Sequence, residues 1–245
     1  MYTEQNKGFT VITNFGCKEK CKYCISKHHP VLQNKITRYE NIVWSFLDYC
    51  IEHTESPKVN VSGGGDPFYE YEKHMSFFYK LKQLCDMHGK LLDSHTRIIP
   101  TKPEFINMFN KLAISVEYWD FHKLQSLAFN FNKLTRNTKL RIIQVVDGKC
   151  DVEELSTYIE SLKSIGIEQI TFRQMFGNKK AFANFEKLKD TPELNGEGIL
   201  WLKDGEYHDY YFTTENKMYP YFFGNSEEDR NTWKKKYEDI EQNCA

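Results

Sequence analysis

A chain of 245 residues with 33 Lys and Arg against 34 Asp and Glu, a formal net charge of -1, has no overall positive field to draw it to nucleic acid or an anionic membrane. Its 40% hydrophobic and 27% charged residues suit a globular domain with a sizeable core and exclude a disordered or fibrous chain. No apolar run approaches the ~20 residues of a bilayer span, and the start MYTEQNKGFTVITNFG lacks the pattern of a secretory signal, so a soluble cytoplasmic protein is expected.

Strand-like and helix-like stretches then alternate. FTVITN (9–14) reads as a strand that leads into a cysteine-rich loop, and residues 39–53 carry apolar side chains at helical spacing. KVNVSGGGDP (58–67) reads as a strand and a glycine turn, and residues 69–89 as a helix stopped by Gly89. A strand over 90–99, a helix over 103–112 with Pro103 at its start, and a strand over 113–119 follow. Next come a helix (121–134), a strand (139–146), a helix (152–166) and a strand (168–176). Six βα-type units predict an α/β protein built as a partial (β/α)6 barrel, with parallel strands inside and helices outside. Ligands of such sheets bind at the carboxyl ends of the strands, where the cysteine loop and the glycine turn both fall.

This core is assigned residues 1–177, and residues 178–245 are expected to form a C-terminal extension. Within it, two apolar runs around Asp204-Gly205 predict a β-hairpin over 198–212, and the charged segment 226–242 predicts a terminal helix.

Seven cysteines are distributed unevenly: Cys17, Cys21 and Cys24 share GCKEKCKYC, while Cys50, Cys85, Cys150 and Cys244 stand singly. Without an export signal this favours metal or cluster ligation plus buried thiols over a disulfide framework. Cys50 and Cys85 fall in helical patterns and are expected in the core. Three readings of the cluster remain open. Structural zinc needs a fourth ligand, for which His28, His29 or a distant thiol is available. A set of buried or redox thiols fits poorly beside Lys18, Glu19, Lys20 and Lys22. A [4Fe–4S] cluster on three thiolates leaves one iron open to chelate a small molecule.

C-x3-C-x2-C with the aromatic Tyr23 before its last cysteine resembles the signature of radical S-adenosylmethionine (SAM) enzymes. The resemblance extends to Ser62-Gly63-Gly64-Gly65-Asp66-Pro67, in the place of that family's second-strand glycine turn, and covers residues 8–176. It implies a [4Fe–4S] cluster on Cys17, Cys21 and Cys24, with SAM on the open iron and against the 62–67 turn. Electron transfer to SAM would then yield methionine and a 5′-deoxyadenosyl radical that takes hydrogen from substrate. It also implies a flavodoxin or ferredoxin-type reductant, for which Lys18, Lys20 and Lys22 are a candidate docking patch, and a place for Tyr23 near adenine.

Strand alternation selects the residues that face the interior. In AISVEYW the apolar Ile114, Val116 and Tyr118 fit outward, which turns Ser115 and Glu117 inward. The same rule points Asn60 and Ser62, Gln144 and Arg173 inward, and on the third strand either Asp93, His95 and Arg97 or Ser94 and Thr96. By the resemblance, Ser115, Glu117 and Gln144 are candidates to hold SAM. His95, Glu117 and Arg173 are the candidate catalytic or substrate-contacting groups: His95 as proton donor, Arg173 on an anionic group or paired with Glu117.

Single-standing Cys150 and Cys244 argue against auxiliary clusters, and the length leaves no room for a cobalamin domain. The expected substrate is a small polar molecule, with a nucleotide or heterocycle favoured by the aromatic tail (Tyr207, Tyr210, Tyr211, Tyr219, Tyr221, Phe222, Phe223). Nucleic acid and membrane are not expected partners. The alternatives are an activase of a glycyl-radical enzyme, acting on a protein partner, and a noncatalytic iron–sulfur or zinc protein.

Overall fold

Alternating β-branched and aromatic residues make Phe9–Thr13 the first strand, β1, and Lys58–Gly63 the second, β2. The computed structural model describes residues 8–18, 21, 24, 37–116, 121–134, 137–175, 178–203, 210–213 and 216–219. Between β1 and β2 lies helix α1 (Trp44–His53), and after β2 lies α2 (Met75–Met87). The chain continues through β3 (Leu91–Thr96), α3 (Pro103–Ile106), β4 (Lys111–Val116), α4 (Phe121–Leu134) and β5 (Lys139–Val146). Helix α5 (Val152–Ser164), β6 (Gln169–Gln174), α6 (Lys179–Lys189), β7 (Ile199–Leu202), β8 (Tyr210–Phe212) and β9 (Met218–Tyr219) complete it.

All nine strands join one sheet in the order β7-β6-β5-β4-β3-β2-β1-β8-β9. Every neighbouring pair is parallel except β8 with β9. Chain length shows that this sheet curls. Leu202 ends β7 and Tyr210 begins β8, so a chain of eight residue steps, at most ~28 Å extended, joins the two edges of the parallel sheet. Seven flat strand spacings would need ~34 Å, before counting the return from the carboxyl end of β7 to the amino end of β8. The molecule is therefore an α/β partial barrel, and no pairing closes β7 onto β9 among the described residues.

Two apolar clusters fill the space between sheet and helices. Val59, Val61 and Leu92 meet Leu47, Phe77, Phe78 and Leu81 on one side, with Phe68, Phe105 and Phe109 in edge and tilted ring contacts. Ile114, Ile142, Ile170 and Phe172 meet Leu124, Leu155, Ile159 and Phe185 on the other. Burying a side chain of this size stabilises by about 1.5–3 kcal/mol, which fixes which face of each strand looks outward.

Three expectations are corrected. The helix expected over 103–112 is only the four-residue α3. It stops at its C-cap Asn107, and Asn110 then ties the chain to β3, its N–H donating to the Leu92 carbonyl (2.7 Å) and its Oδ1 accepting from the Leu92 N–H (2.9 Å), which hands the chain to the sheet at Lys111. Helix α6 was not expected. Asn178 caps it by accepting from the Ala181 N–H, and Ala181, Phe185 and Leu188 form its buried stripe.

The hairpin expected over 198–212 does not form. Its two runs lie at opposite edges of the parallel sheet, β7 on β6 and β8 on β1. An unpaired edge strand gains more from covering than a two-stranded appendage gains from itself. Trp201 packs on Phe172 and Phe185, with ring centroids 4.6 and 5.3 Å apart, and Phe212 packs on Phe46 at 5.9 Å. The segment 178–245 thus contributes three strands to the sheet of residues 1–177. Asp204, Gly205 and the helix expected over 226–242 lie outside the described residues.

Candidate functional site

The loop that bears the cysteines is tied at its base. Thr37 N–H donates to the Asn14 carbonyl at 2.7 Å and Asn14 N–H to Thr37 Oγ1 at 2.8 Å, so the chain leaves β1 and returns at one point. Phe15 anchors the departure: its ring is buried, stacks on His74 at 4.0 Å and meets Phe77 edge-on. Cys17 is exposed, and Cys21 and Cys24 are half-buried.

The glycine turn locks onto this loop. Gly64 N–H donates to the Thr13 carbonyl and Asp66 N–H to the Gly16 carbonyl, both at 2.9 Å. A Cβ at Gly65 would run into the Gly16 carbonyl, and one at Gly63 would stand 2.7 Å from the Thr13 carbonyl oxygen. Glycine is required here by close backbone approach.

Asp66, almost fully buried, spends its carboxylate on the protein. Oδ1 accepts from Phe68 N–H (2.8 Å) and Thr96 Oγ1 (2.6 Å), and Oδ2 accepts from Arg97 N–H (2.7 Å). The turn is thereby pinned to the end of β3. Arg97 in turn reaches the cysteine loop, donating from Nη1 to Cys21 Sγ at 2.8 Å. A continuous path runs from Asp66 through Arg97 to Cys21.

Below this edge, strand register defines the interior, since residues paired across parallel strands share a face. Leu112, Ile114 and Val116 pack on the helices, so Lys111, Ala113 and Ser115 face inward. Register then turns inward Asn60, Asp93 and His95 on β2 and β3, Lys139, Arg141, Ile143 and Val145 on β5, and Gln169, Thr171 and Arg173 on β6. Ser62 shares the face of Asn60 on β2.

His95 Nε2 lies 2.8 Å from Ser115 Oγ. Burial first, and then the positive charges of Arg173 and Arg141, push the His95 imidazole down to about 3, so it is neutral at pH 7. Asp93 and Lys111 form an ion pair at 3.6 Å. Burial raises the Asp93 carboxyl and lowers the Lys111 ammonium, and each partner's charge opposes that shift.

Gln144 requires correction. It pairs with Val116 and Phe172, both helix-facing, and its Oε1 accepts from Tyr158 Oη of α5 at 3.3 Å. It faces the helix layer and cannot touch a ligand in the barrel. The run KLRIIQVV is apolar on both faces, so alternation alone left its parity undecided, and Gln144 inward implied Arg141 outward. Arg141 and Thr171 are among the interior groups missed, with Lys111, Lys139 and Gln169, and the polarity of Lys139 and Arg141 was the signal for the opposite parity. On β3 the set Asp93, His95 and Arg97 faces in. Glu117 and Tyr23 lie outside the described residues, as do Lys20, Lys22, His28 and His29. Lys18 is described and sits over the Tyr69 ring at 5.9 Å.

Three thiols on one loop are soft donors suited to an iron–sulfur cluster. Among the described residues no three His, Cys, Asp or Glu are gathered as a site for a single metal ion. No described helix is long and apolar enough to cross a membrane.

No family model matches the sequence, and no curated protein matches it. Among solved structures the chain is similar to thiamine phosphate pyrophosphorylase from Pyrococcus furiosus, with a TM-score of 0.39 and 10% identity over 97% of this chain and 96% of that one. It is also similar to the carboxyl transferase domain of Rhizobium etli pyruvate carboxylase, solved with pyruvate, with a TM-score of 0.36 and 11% identity over 98% of this chain and 48% of that one. The assignment of the fold rests on the strand order and register, and neither likeness bears on chemistry.

Proposed function

We propose that the chain is a radical SAM enzyme that holds a [4Fe–4S] cluster on Cys17, Cys21 and Cys24 and acts on a small polar substrate in the barrel interior. The observation that carries this reading is the lock between the cysteine loop and the 63–66 turn at the carboxyl edge of β1 and β2, directly above a polar interior. Held by Cys17, Cys21 and Cys24, a cluster there would supply one-electron reduction, and SAM beside the 62–67 turn would supply the hydrogen-abstracting 5′-deoxyadenosyl group.

The chain's own residues have definite parts. Gly63 and Gly65 keep the turn free of side chains so that backbone can approach the amino acid end of SAM. Asp66 holds the turn to β3 rather than touching the ligand. Arg97 offers a guanidinium donor to Cys21, which favours negative sulfur, the form that ligates metal. Neutral His95, with Ser115, presents a hydrogen bond to substrate without adding charge. The setting is the cytoplasm, where thiols stay reduced, with a flavodoxin or ferredoxin-type protein as electron donor.

Anaerobic reconstitution tests this. About four irons and four sulfides per chain are expected, lost on Cys17→Ala, Cys21→Ala or Cys24→Ala and retained on Cys50→Ala or Cys85→Ala, whose thiols are buried in the core. The reduced protein with SAM should release 5′-deoxyadenosine. Stoichiometric zinc with no iron uptake would overturn the reading.

A further inference from the structure

Resting on the reading of the interior as the substrate site, we propose that the inward face of β4, β5 and β6 binds an oxyanion group of the substrate, a carboxylate or phosphate, through Arg141, Arg173, Thr171 and Ser115. Register puts these groups in adjoining layers. Ser115, Ile143 and Thr171 share one rung, Arg141 lies on the inward rung below, and Arg173 on the inward rung above. Two arginines therefore flank the rung of Thr171, and Arg141 Nε, one of the several N–H donors that a guanidinium carries, donates to Gln169 Oε1 at 3.3 Å.

Thr171 points to a missing ligand. It is 1% exposed, and its hydroxyl has no hydrogen-bond partner among the described residues. Burying a hydroxyl unsatisfied costs about 1–3 kcal/mol, and an oxyanion between the two arginines would accept its proton. The guanidinium fork also matches the planar or tetrahedral oxygens of carboxylate and phosphate.

Charge agrees with this. The charges that act on His95 are those of Arg173 and Arg141, and the nearby Asp93 carboxylate is already engaged with Lys111 one layer below. Ala113, between His95 and Arg141 in their rung, offers only a methyl group and leaves room. Only β3 lies between this wall and the β1 and β2 edge that carries the glycine turn, while Arg141, Arg173 and Thr171 sit on β5 and β6 farther from that edge, which favours substrate over SAM as the source of the anion.

The test uses the full chain without iron or SAM, so its outcome is independent of the cluster. Inorganic phosphate and acetate are titrated by calorimetry, and the His95 ring resonance is followed by NMR. Saturable phosphate binding with a dissociation constant of about 1 mM or tighter is expected, with a rise in the His95 pKa as the anion offsets the arginine charges. Arg141→Gln and Arg173→Gln should each weaken binding about tenfold or more, whereas the exposed Arg38→Gln should leave it unchanged. Thr171→Val supplies the decisive contrast, and it does not depend on the arginine variants folding. It should weaken phosphate binding while leaving the ligand-free protein as stable or more stable, because it deletes an unsatisfied buried hydroxyl. Thr171→Ser should restore binding.

Absence of saturable binding, equal binding by the interior variants, or destabilisation of the ligand-free protein by Thr171→Val would overturn the proposal. Displacement of phosphate by methionine more strongly than by acetate would give the wall to the carboxylate of SAM and overturn the assignment to substrate.

Discussion

At the scale of single residues, Asp66 and His95 show how burial turns polar side chains into fixed parts. Three donors, the N–H groups of Phe68 and Arg97 and the hydroxyl of Thr96, depend on the Asp66 carboxylate. Asp66→Ala should cost about 3 kcal/mol or more, since each bond to a charged group is worth about 1.5–3 kcal/mol. Thermal unfolding of the metal-free protein should show a midpoint about 6–12 °C lower; a change under about 1 kcal/mol would leave the turn pinned by something else. His95 makes an acid-side prediction. Its folded pKa of about 3 lies below the unfolded value near 6.5, so the unfolded chain takes up the proton first. The stability that neutral His95 contributes is complete above pH ~6.5 and is lost as pH falls toward ~3, by up to about 1.4 kcal/mol per pH unit. Denaturant titrations across that window should show a shallower decline in His95→Gln than in the parent.

At the scale of elements, the parity of one strand decides which side chains can meet a ligand. In β5 the outward position belongs to Gln144, tied to α5 by Tyr158 Oη, whose phenol burial pushes well above its ordinary value and keeps protonated. Tyr158→Phe should therefore cost about 0.5–1.5 kcal/mol of stability and leave phosphate affinity unchanged, as measured by chemical denaturation and calorimetry. Loss of ligand affinity in Tyr158→Phe would mean that β5 presents Gln144 to the interior after all. A second element-scale joint is Gly198, with φ of +80° and no space for a Cβ against the Glu168 carbonyl. Gly198→Ala should weaken the seating of β7 on β6, read as faster amide exchange at Ile170, whose N–H donates to the Gly198 carbonyl at 2.9 Å.

At the scale of the whole molecule, the C-terminal strands β7, β8 and β9 are part of the barrel wall. A chain ending at residue 195 would lose β7, β8 and β9, bare the parallel edges of β6 and β1, and remove Trp201 from Phe172 and Phe212 from Phe46. Such edges template association. The truncated chain should aggregate or unfold at temperatures where the full chain is monodisperse, by light scattering and circular dichroism. A soluble, cooperatively folding truncation would restore the view of this segment as an appendage.

Legible in residue order alone were the alternation of strands and helices from β1 to β6 and the residue types gathered at the carboxyl edge. Hydrophobic periodicity marks β1 to β6 and the helices α1, α2, α4 and α5 because an element must bury one face wherever its neighbours lie, and three thiols and a run of glycines announce themselves by residue type. Tertiary structure alone decided what depended on partners distant in sequence. The apolar runs around residues 199 and 211 carry no label saying whether they pair with each other or with the edges left by β6 and β1, and the gain from covering both edges settled it. Likewise KLRIIQVV has apolar residues on both faces, and only its register against β4 and β6 turned Gln144 toward α5 and Arg141 toward the interior.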